Sequence, residues 1–230
     1  PVHSPSLQES PGVHRLPLRG GRAVAARNLL QSVQRAVTTT STFEVPGDGV
    51  RGLIPQLASV AERRGLKLSP MHVVAKCVAA ALMRHPRFNA TIDEASGDLL
   101  LHDRVDLGVA VAAPEGLVVP VIRGVNARLL LDVVAESAAL ASRAREGKLG
   151  IADLRGGTFT LSSTGGLERT TMLSTRPIIA PPQTAILWVS RITDRPRVLD
   201  GELCAGPMMT CSLSFDHRYI DGAEATLFIN

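Results

Sequence analysis

Two hydrophobic periods alternate along this chain. Val24, Leu29, Leu30, Val33 and Val37 recur at near-helical spacing and predict an amphipathic helix over Ala23 to Val37. The β-branched run Thr38 to Val45 predicts a strand, closed by Pro46-Gly47-Asp48-Gly49. Leu53, Leu57, Val60 and Ala61 predict a second helix stopping near Gly65. Ser69-Pro70 reads as an N-cap and first-turn proline for a helix over Met71 to His85, apolar almost all round and so expected to be buried. Pro86 ends it.

Ile92 to Leu101 reads as a hairpin about Ala95-Ser96-Gly97-Asp98. Val105 to Ala112 and Leu117 to Ile122 read as strands joined by Ala113-Pro114-Glu115-Gly116. Pro120 cannot donate to a ladder and predicts an edge or a bulge. Leu129 to Glu146 predicts a helix with Leu130, Val133, Val134, Ala138 and Ala141 on one stripe and Gly147 beyond its end. Strands are expected at Thr158 to Ser162, Ile178-Ile179 and Ala185 to Ile192, with Ser163 to Arg176 as loop. A hairpin turns over Asp200-Gly201, a central strand runs from Met208 to Ser214, and a last helix begins near Ala223. This loose alternation favours an α/β fold, an α+β two-layer arrangement with a mixed sheet covered by helices, over a doubly wound parallel sheet. Residues 1–16 carry Pro, Ser and Gly without period and read as linker, leaving 17–230 as one domain.

Composition narrows the function classes. The chain has 230 residues, 45% hydrophobic but 3% aromatic, so an aliphatic core is expected. The net charge of +4 is carried almost entirely by arginine, with no dense basic run, which disfavours nucleic acid. No apolar run is long enough for a membrane span. Cys77, Cys204 and Cys211 are odd in number and lack Cys-x-x-Cys spacing, so a reducing, cytoplasmic setting is expected. Cys77 reads as core. The chain begins at Pro1 and reads as a piece of a longer protein.

The chemistry-bearing stretch is Ser214-Phe215-Asp216-His217-Arg218-Tyr219-Ile220-Asp221-Gly222. It follows a strand and sets an imidazole four residues before a carboxylate. Histidine is a ready general base near neutral pH. Asp216, Arg218, Asp221 and a sharp backbone feature at Gly222 are what orienting it would look like. By spacing alone a lone histidine near a strand end is more often a solvated turn residue, or a core histidine with a satisfied ring. A metal site lacks ligands. Cys211 and His217 could form a nucleophilic pair, although six residues separate them without a signal of contact.

Ser214 to Ala223 resembles the active-site signature of the dihydrolipoamide acyltransferases, with chloramphenicol acetyltransferase a distant relative. Pro17-Leu18-Arg19-Gly20, Asn89-Ala90, Gly116 to Ile122, Ala144 to Leu149, Gly157 to Ser162 and Pro177 to Gln183 are similar to family landmarks, in the family's order. The resemblance implies a chloramphenicol acetyltransferase-like fold and transfer of an acyl group between dihydrolipoamide and coenzyme A. His217 would be the base, and Ser162 the oxyanion donor, with Ser163 and Thr164 as neighbouring hydroxyls that could replace it. Asp221 would arrange the site; a turn carboxylate bound to nearby backbone N–H is the alternative. Arg218 would pair to organise the turn. Arg19 and Arg22 would contact coenzyme A phosphate or serve as surface charge.

The resemblance further implies homotrimers, with His217 of one subunit facing Ser162 of the next, building a cage. Its partners would be a lipoyl domain on a separate upstream segment and decarboxylase and dihydrolipoamide dehydrogenase components. The family also continues the last helix beyond Asn230. Thr38 to Gly47, Gly165 to Thr175 and Trp188, which stands where a small residue is usual, depart from the pattern and leave acyl preference and assembly open. A stand-alone O-acetyltransferase and a non-catalytic scaffold remain as alternatives.

Overall fold

A computed structural model describes residues 12, 14–114, 116–166 and 170–230. The chain runs α1 (Gly20–Arg35), β1 (Thr38–Pro46), α2 (Asp48–Arg63), α3 (Pro70–Arg84), β2 (Ala90–Ile92), β3 (Leu99–Leu101), β4 (Leu107–Val109), β5 (Val111–Ala113), β6 (Gly116–Val118), β7 (Val121–Ile122), α4 (Leu130–Arg145), α5 (Ile151–Leu154), β8 (Phe159–Ser163), β9 (Ala185–Val189), β10 (Thr193–Leu199), β11 (Glu202–Asp216) and α6 (Gly222–Ile229). Seven strands form one mixed sheet in the order β1-β11-β9-β8-β4-β7, with β10 paired to the first half of β11. β4, β8 and β9 are parallel neighbours, and the other pairings in this sheet are antiparallel. The expected mixed sheet covered by helices is what the chain forms. The linker expected over residues 1–16 falls largely outside the described residues, as does Glu115 of the expected turn.

The sheet has two chemically distinct faces, a direct result of the period-2 alternation of strand side chains. One face carries Leu107, Phe159, Leu161, Leu187, Cys211, Leu213 and Phe215 against Val74, Val78 and Leu82 of α3, Val133 and Leu140 of α4, and Phe228 of α6. The other carries hydroxyls. Thr40 and Ser214 share a hydrogen bond of 2.8 Å, Thr42 and Ser212 one of 3.1 Å, and Thr160 Oγ1 donates to Gln183 Oε1 at 2.7 Å. The core is mostly aliphatic, but four of the few aromatics meet at its centre. Phe88 stacks on Phe228 at 4.3 Å, with Phe215 and Phe159 edge-on or tilted around them.

Several expectations need correction. Val105 to Ala112 and Leu117 to Ile122 each break in two. Ala110 N–H donates across to Leu161 O, and Pro120, lacking an N–H, separates β6 from β7 at the sheet edge. The hairpin β5–β6 therefore leaves the main sheet. Ile178-Ile179 forms no strand. Cys77 lies on the exposed side of α3, not in the core. Helix α1 exists, but its apolar stripe is uncovered in this chain: Leu30 is 58% and Val33 63% exposed, and only Ser32 is buried. Among the described residues no helix is long and apolar enough to cross a membrane.

Asp200 and Gly201 both take positive φ, 51° and 85°, in the two-residue turn between β10 and β11. That tight turn sets the register of the longest strand. His72, in the first turn of α3, is partly buried, and burial holds its imidazole below the ordinary 6.5. Its Nδ1 accepts the Ser69 backbone N–H at 3.1 Å, which needs an unprotonated nitrogen. The native state thus binds this proton less well than the unfolded chain. The associated stability is complete above about pH 6.5 and is lost as pH falls from there through the lowered native value. His72→Gln is expected to flatten the decline in unfolding free energy between about pH 7 and about pH 5, measured by urea titration.

Candidate active site

His217 leaves the end of β11 on a tightly held turn. The last strand residue, Asp216, is 1% exposed. Its carboxylate accepts Arg218 Nε at 3.0 Å, Arg218 Nη2 at 2.6 Å and the Arg218 backbone N–H at 3.1 Å. Its carbonyl accepts the N–H groups of Tyr219 and Ile220, both at 3.1 Å. His217 N–H donates to Val37 O at 2.8 Å, tying the turn to the segment between α1 and β1. Ile220 is fully buried. The backbone is therefore fixed on both sides of His217, while the imidazole itself is exposed. Its ring lies 5.9 Å from Phe215 and has no hydrogen-bond partner among the described residues. Arg218 is the turn-organising ion pair the sequence suggested, and its guanidinium stands 5.0 Å from the Tyr219 ring. A cavity of about 310 Å³ opens beside this turn, but its charges are matched in pairs, Arg35 with Glu94 and Arg218 with Asp216.

Asp221 is used differently from the resemblance. It is the N-cap of α6, its Oδ1 accepting the Glu224 N–H at 2.8 Å, while Glu224 Oε2 accepts the Asp221 N–H at 3.4 Å. No hydrogen bond or ion pair joins it to His217 among the described residues. Gly222 is the first residue of α6 and has no positive φ, so the sharp backbone feature expected there is absent. The turn is set by Asp216 and Asp221 instead.

Ser162 lies on β8, in register with Trp188 of β9 and, one strand further, with Ser212 of β11. It shares the hydroxyl face with Thr160. Ser163, opposite Val189 of the core, points to the other face, and its Oγ accepts the Gly165 N–H. Thr164 accepts the Trp188 Nε1–H at 3.2 Å. Ser162 is the hydroxyl of the three with no hydrogen bond among the described residues, which favours it over its neighbours.

Ser162 and His217 are far apart within one chain. β11 runs antiparallel to β9, so its C-terminal end meets the N-terminal ends of β8 and β9. From Ser212 to Asp216 is roughly 13 Å of strand, and two strand gaps add about 10 Å across, a separation of roughly 16 Å before the turn carries His217 further. Arg22 belongs to the Ser162 end. Its side chain lies beside Gly116, where a Cβ would come within 3.8 Å, at the tip of the β5–β6 hairpin. It sits about 20 Å along α1 from the His217 turn. Arg19, at the N-cap of α1, is exposed on the same side.

Cys211 faces the core at 3% exposure, and burial pushes its thiol up to about 12. It is not ionised near neutrality, and about 20 Å of chain along β11 separates it from His217, so the nucleophilic pair is excluded. Among the described residues no group of three His, Cys, Asp or Glu could hold a metal ion. The holding carbonyl of Val37 and the pairing of Ser162 beside Trp188 were not legible in sequence, because both depend on long-range strand register. Asp221→Ala is expected to cost about 1 kcal/mol of stability through loss of the α6 cap, and Asp221→Asn almost none, measured by chemical denaturation.

A family model for the catalytic domain of 2-oxoacid dehydrogenase acyltransferases matches residues 10–230. The dihydrolipoyllysine-residue succinyltransferase component of the 2-oxoglutarate dehydrogenase complex of Cupriavidus necator is 40% identical over 99% of this chain, which spans 53% of that relative. The dihydrolipoamide acetyltransferase of Azotobacter vinelandii, studied for the roles of a serine, a histidine and an asparagine in catalysis, superposes with a TM-score of 0.88 at 35% identity. The alignment covers 94% of this chain and 88% of that one. The cubic core of a pyruvate dehydrogenase multienzyme complex gives the same TM-score, 0.88, at 34% identity over 94% of this chain and 88% of its own. Chloramphenicol acetyltransferase, at a TM-score of 0.55 and 19% identity, shares the fold. By motif, topology and these matches, the chain belongs to the 2-oxoacid dehydrogenase acyltransferase catalytic-domain family.

Proposed function

We propose that this domain transfers an acyl group between dihydrolipoamide and coenzyme A, at a site completed by two copies of the chain. The observation that carries the reading is the separation of Ser162 and His217 to opposite ends of one sheet. The side chain of each is without a hydrogen-bond partner among the described residues. A second copy is what would bring the His217 of one protomer to the Ser162 of its neighbour. The uncovered stripe of α1, with Leu29, Leu30 and Val33 exposed, and Val37 just beyond it, supports such association, since apolar surface of this kind favours a partner. Two further supports come from relatives. The Azotobacter study concerns a serine, a histidine and, four positions after it, an asparagine, where this chain has Asp221. Another relative is a cubic core, in keeping with trimers as the proposed building unit.

The chemistry follows from the groups present. Neutral His217 takes the proton of the attacking thiol, whose ordinary pKa of about 8.5 lies within its reach. The resulting thiolate adds to the thioester carbonyl. Ser162 donates a hydrogen bond to the oxyanion of the tetrahedral species. As the carbonyl re-forms, the second sulfur leaves and regains the proton from the imidazolium. No covalent enzyme intermediate is needed. Coenzyme A and the lipoyl arm, carried on a separate domain, are substrates, and Arg19 and Arg22 at the Ser162 end suit a coenzyme A phosphate. The three free cysteines suit a reducing compartment such as the cytoplasm. The decarboxylase and dihydrolipoamide dehydrogenase components are the proposed further partners.

Transfer is assayed with free dihydrolipoamide and acyl-coenzyme A. His217→Ala is expected to abolish it with assembly intact, and Ser162→Ala to lower kcat about 10²–10³-fold with KM little changed. Co-expressing the two variants is the decisive arm. Over all randomly assembled trimers about a quarter of the interfaces would pair an intact His217 with an intact Ser162, and activity should return. Assembled mixtures that stay inactive would reject the shared site, and wild-type rates in His217→Ala would reject the mechanism.

A further inference from the structure

We propose that Tyr219 is a positioning residue for the base His217: its hydroxyl ties the His217 turn to the tip of the β2–β3 hairpin and so fixes where the imidazole stands. The inference rests on the acyl-transfer reading given above. The two ends of the turn are secured by the fold, Asp216 through the register of β11 with β1 and Ile220 through complete burial. Between them His217 and Arg218 are exposed and Tyr219 is half-buried, so packing does little to locate these three residues. The cavity of about 310 Å³ lies against Arg218 and Tyr219, bounded also by Arg35 of α1 and by Glu94 and Gly97 of the hairpin. A second cleft, lined by Arg87, Leu99 and Leu101, opens on the same two turn residues. A turn flanked by open space lacks the neighbouring atoms that would stop it shifting, so hydrogen bonds from distant parts of the chain must hold it.

His217 N–H donates to Val37 O at 2.8 Å and locates the front of the turn. Arg87 Nη1 donates to Tyr219 O at 3.3 Å, but this arginine is more than half exposed and is shared with Glu224, which makes it a weak tether. Tyr219 Oη donates to Gly97 O at 3.0 Å. That acceptor is held in place before the tyrosine reaches it. Asp93 Oδ1 accepts the Ala95 N–H at 3.1 Å, and Asp93 Oδ2 accepts the Ser96 hydroxyl at 3.0 Å. Gly97 N–H donates to Asp93 O at 2.7 Å, and Gly97 has a φ of 81°, which glycine adopts without steric cost. Ile92 N–H donates to Pro182 O at 2.8 Å and ties the hairpin to the segment leading into β9. The hairpin is thus a rigid anchor, and the tyrosine ring, 5.0 Å from the Arg218 guanidinium, is the strut between it and the turn. A general base must stand within hydrogen-bond reach of the proton it takes. A turn free to drift would leave substrate binding intact and slow the proton transfer.

The test measures kcat and KM in the assembled protein with free dihydrolipoamide and acetyl-, isobutyryl- or succinyl-coenzyme A, whichever the wild type turns over fastest. Tyr219→Phe keeps the ring and removes the hydroxyl alone. It is expected to lower kcat about tenfold, with both KM values within about twofold of wild type and the assembly unchanged in size. Asp93→Ala, which loosens the anchor, should lower kcat to a similar extent. Because both act through one bond, the double variant is expected about tenfold below wild type, whereas independent losses would multiply to about a hundredfold. Should Tyr219→Phe fail to fold, the kcat and KM split in Asp93→Ala decides. If Tyr219→Phe lowers only the unfolding midpoint and its kcat per folded molecule stays within about twofold of wild type, the inference is overturned and acyl transfer stands. Losses that multiply in the double variant, or a loss carried by KM, would overturn it as well. A wild type inactive with all three donors would overturn the acyl-transfer reading and this inference with it.

Discussion

The alternation of β11 is the constraint on which the rest of the structure depends. Cys211, Leu213 and Phe215 face the helices, and Thr210, Ser212 and Ser214 face away. A slip of one residue would exchange the two sets, burying hydroxyls in the core and exposing Phe215. The cost of that slip pins the register, and the register decides where the strand ends. The turn at Asp216 is a consequence. β11 pairs with β1 along one side and with β9 and β10 along others, so three neighbours enforce the same phase.

The second face of the sheet is unusual in being polar yet largely buried. Its hydroxyls satisfy one another across strands, Thr40 with Ser214 and Thr42 with Ser212, which removes the penalty of burying them. Ser162 is the exception in that row. An unbonded hydroxyl on such a surface costs something to keep, and a donor reserved for a developing negative charge is the proposed reason for keeping it. The same logic applies to His217. Backbone bonds on both sides hold its main chain rigid, and the imidazole alone is left open. Rigid backbone with an uncommitted side chain is the preorganisation a general base requires.

Asp216 and Asp221 divide the work of the motif in a way their order does not suggest. Asp216 is buried and holds the turn through Arg218, and Asp221 starts α6. An asparagine can serve the second purpose equally, since its side-chain oxygen accepts the same N–H. Burial of Cys211 and the raised thiol that follows remove the competing nucleophile without any special arrangement.

Local chemistry in the sequence by itself determined most of the elements. The β-branched run of β1, the Ser69-Pro70 start of α3, Gly147 after α4 and the Asp200-Gly201 turn act through near neighbours, so their residues are sufficient. Pro120 marked its break because a missing N–H is a property of the residue. The His217 motif was legible for the same reason. The tertiary structure decided what depends on distant partners. The break of Val105 to Ala112 needed Leu161, the exposure of Cys77 needed the rotation of α3, and the bare stripe of α1 needed the packing of the described residues to leave it exposed. The distance between Ser162 and His217 was decided there as well, because strand direction and order are fixed by which long-range pairs bury the apolar face, and no local pattern carries that information.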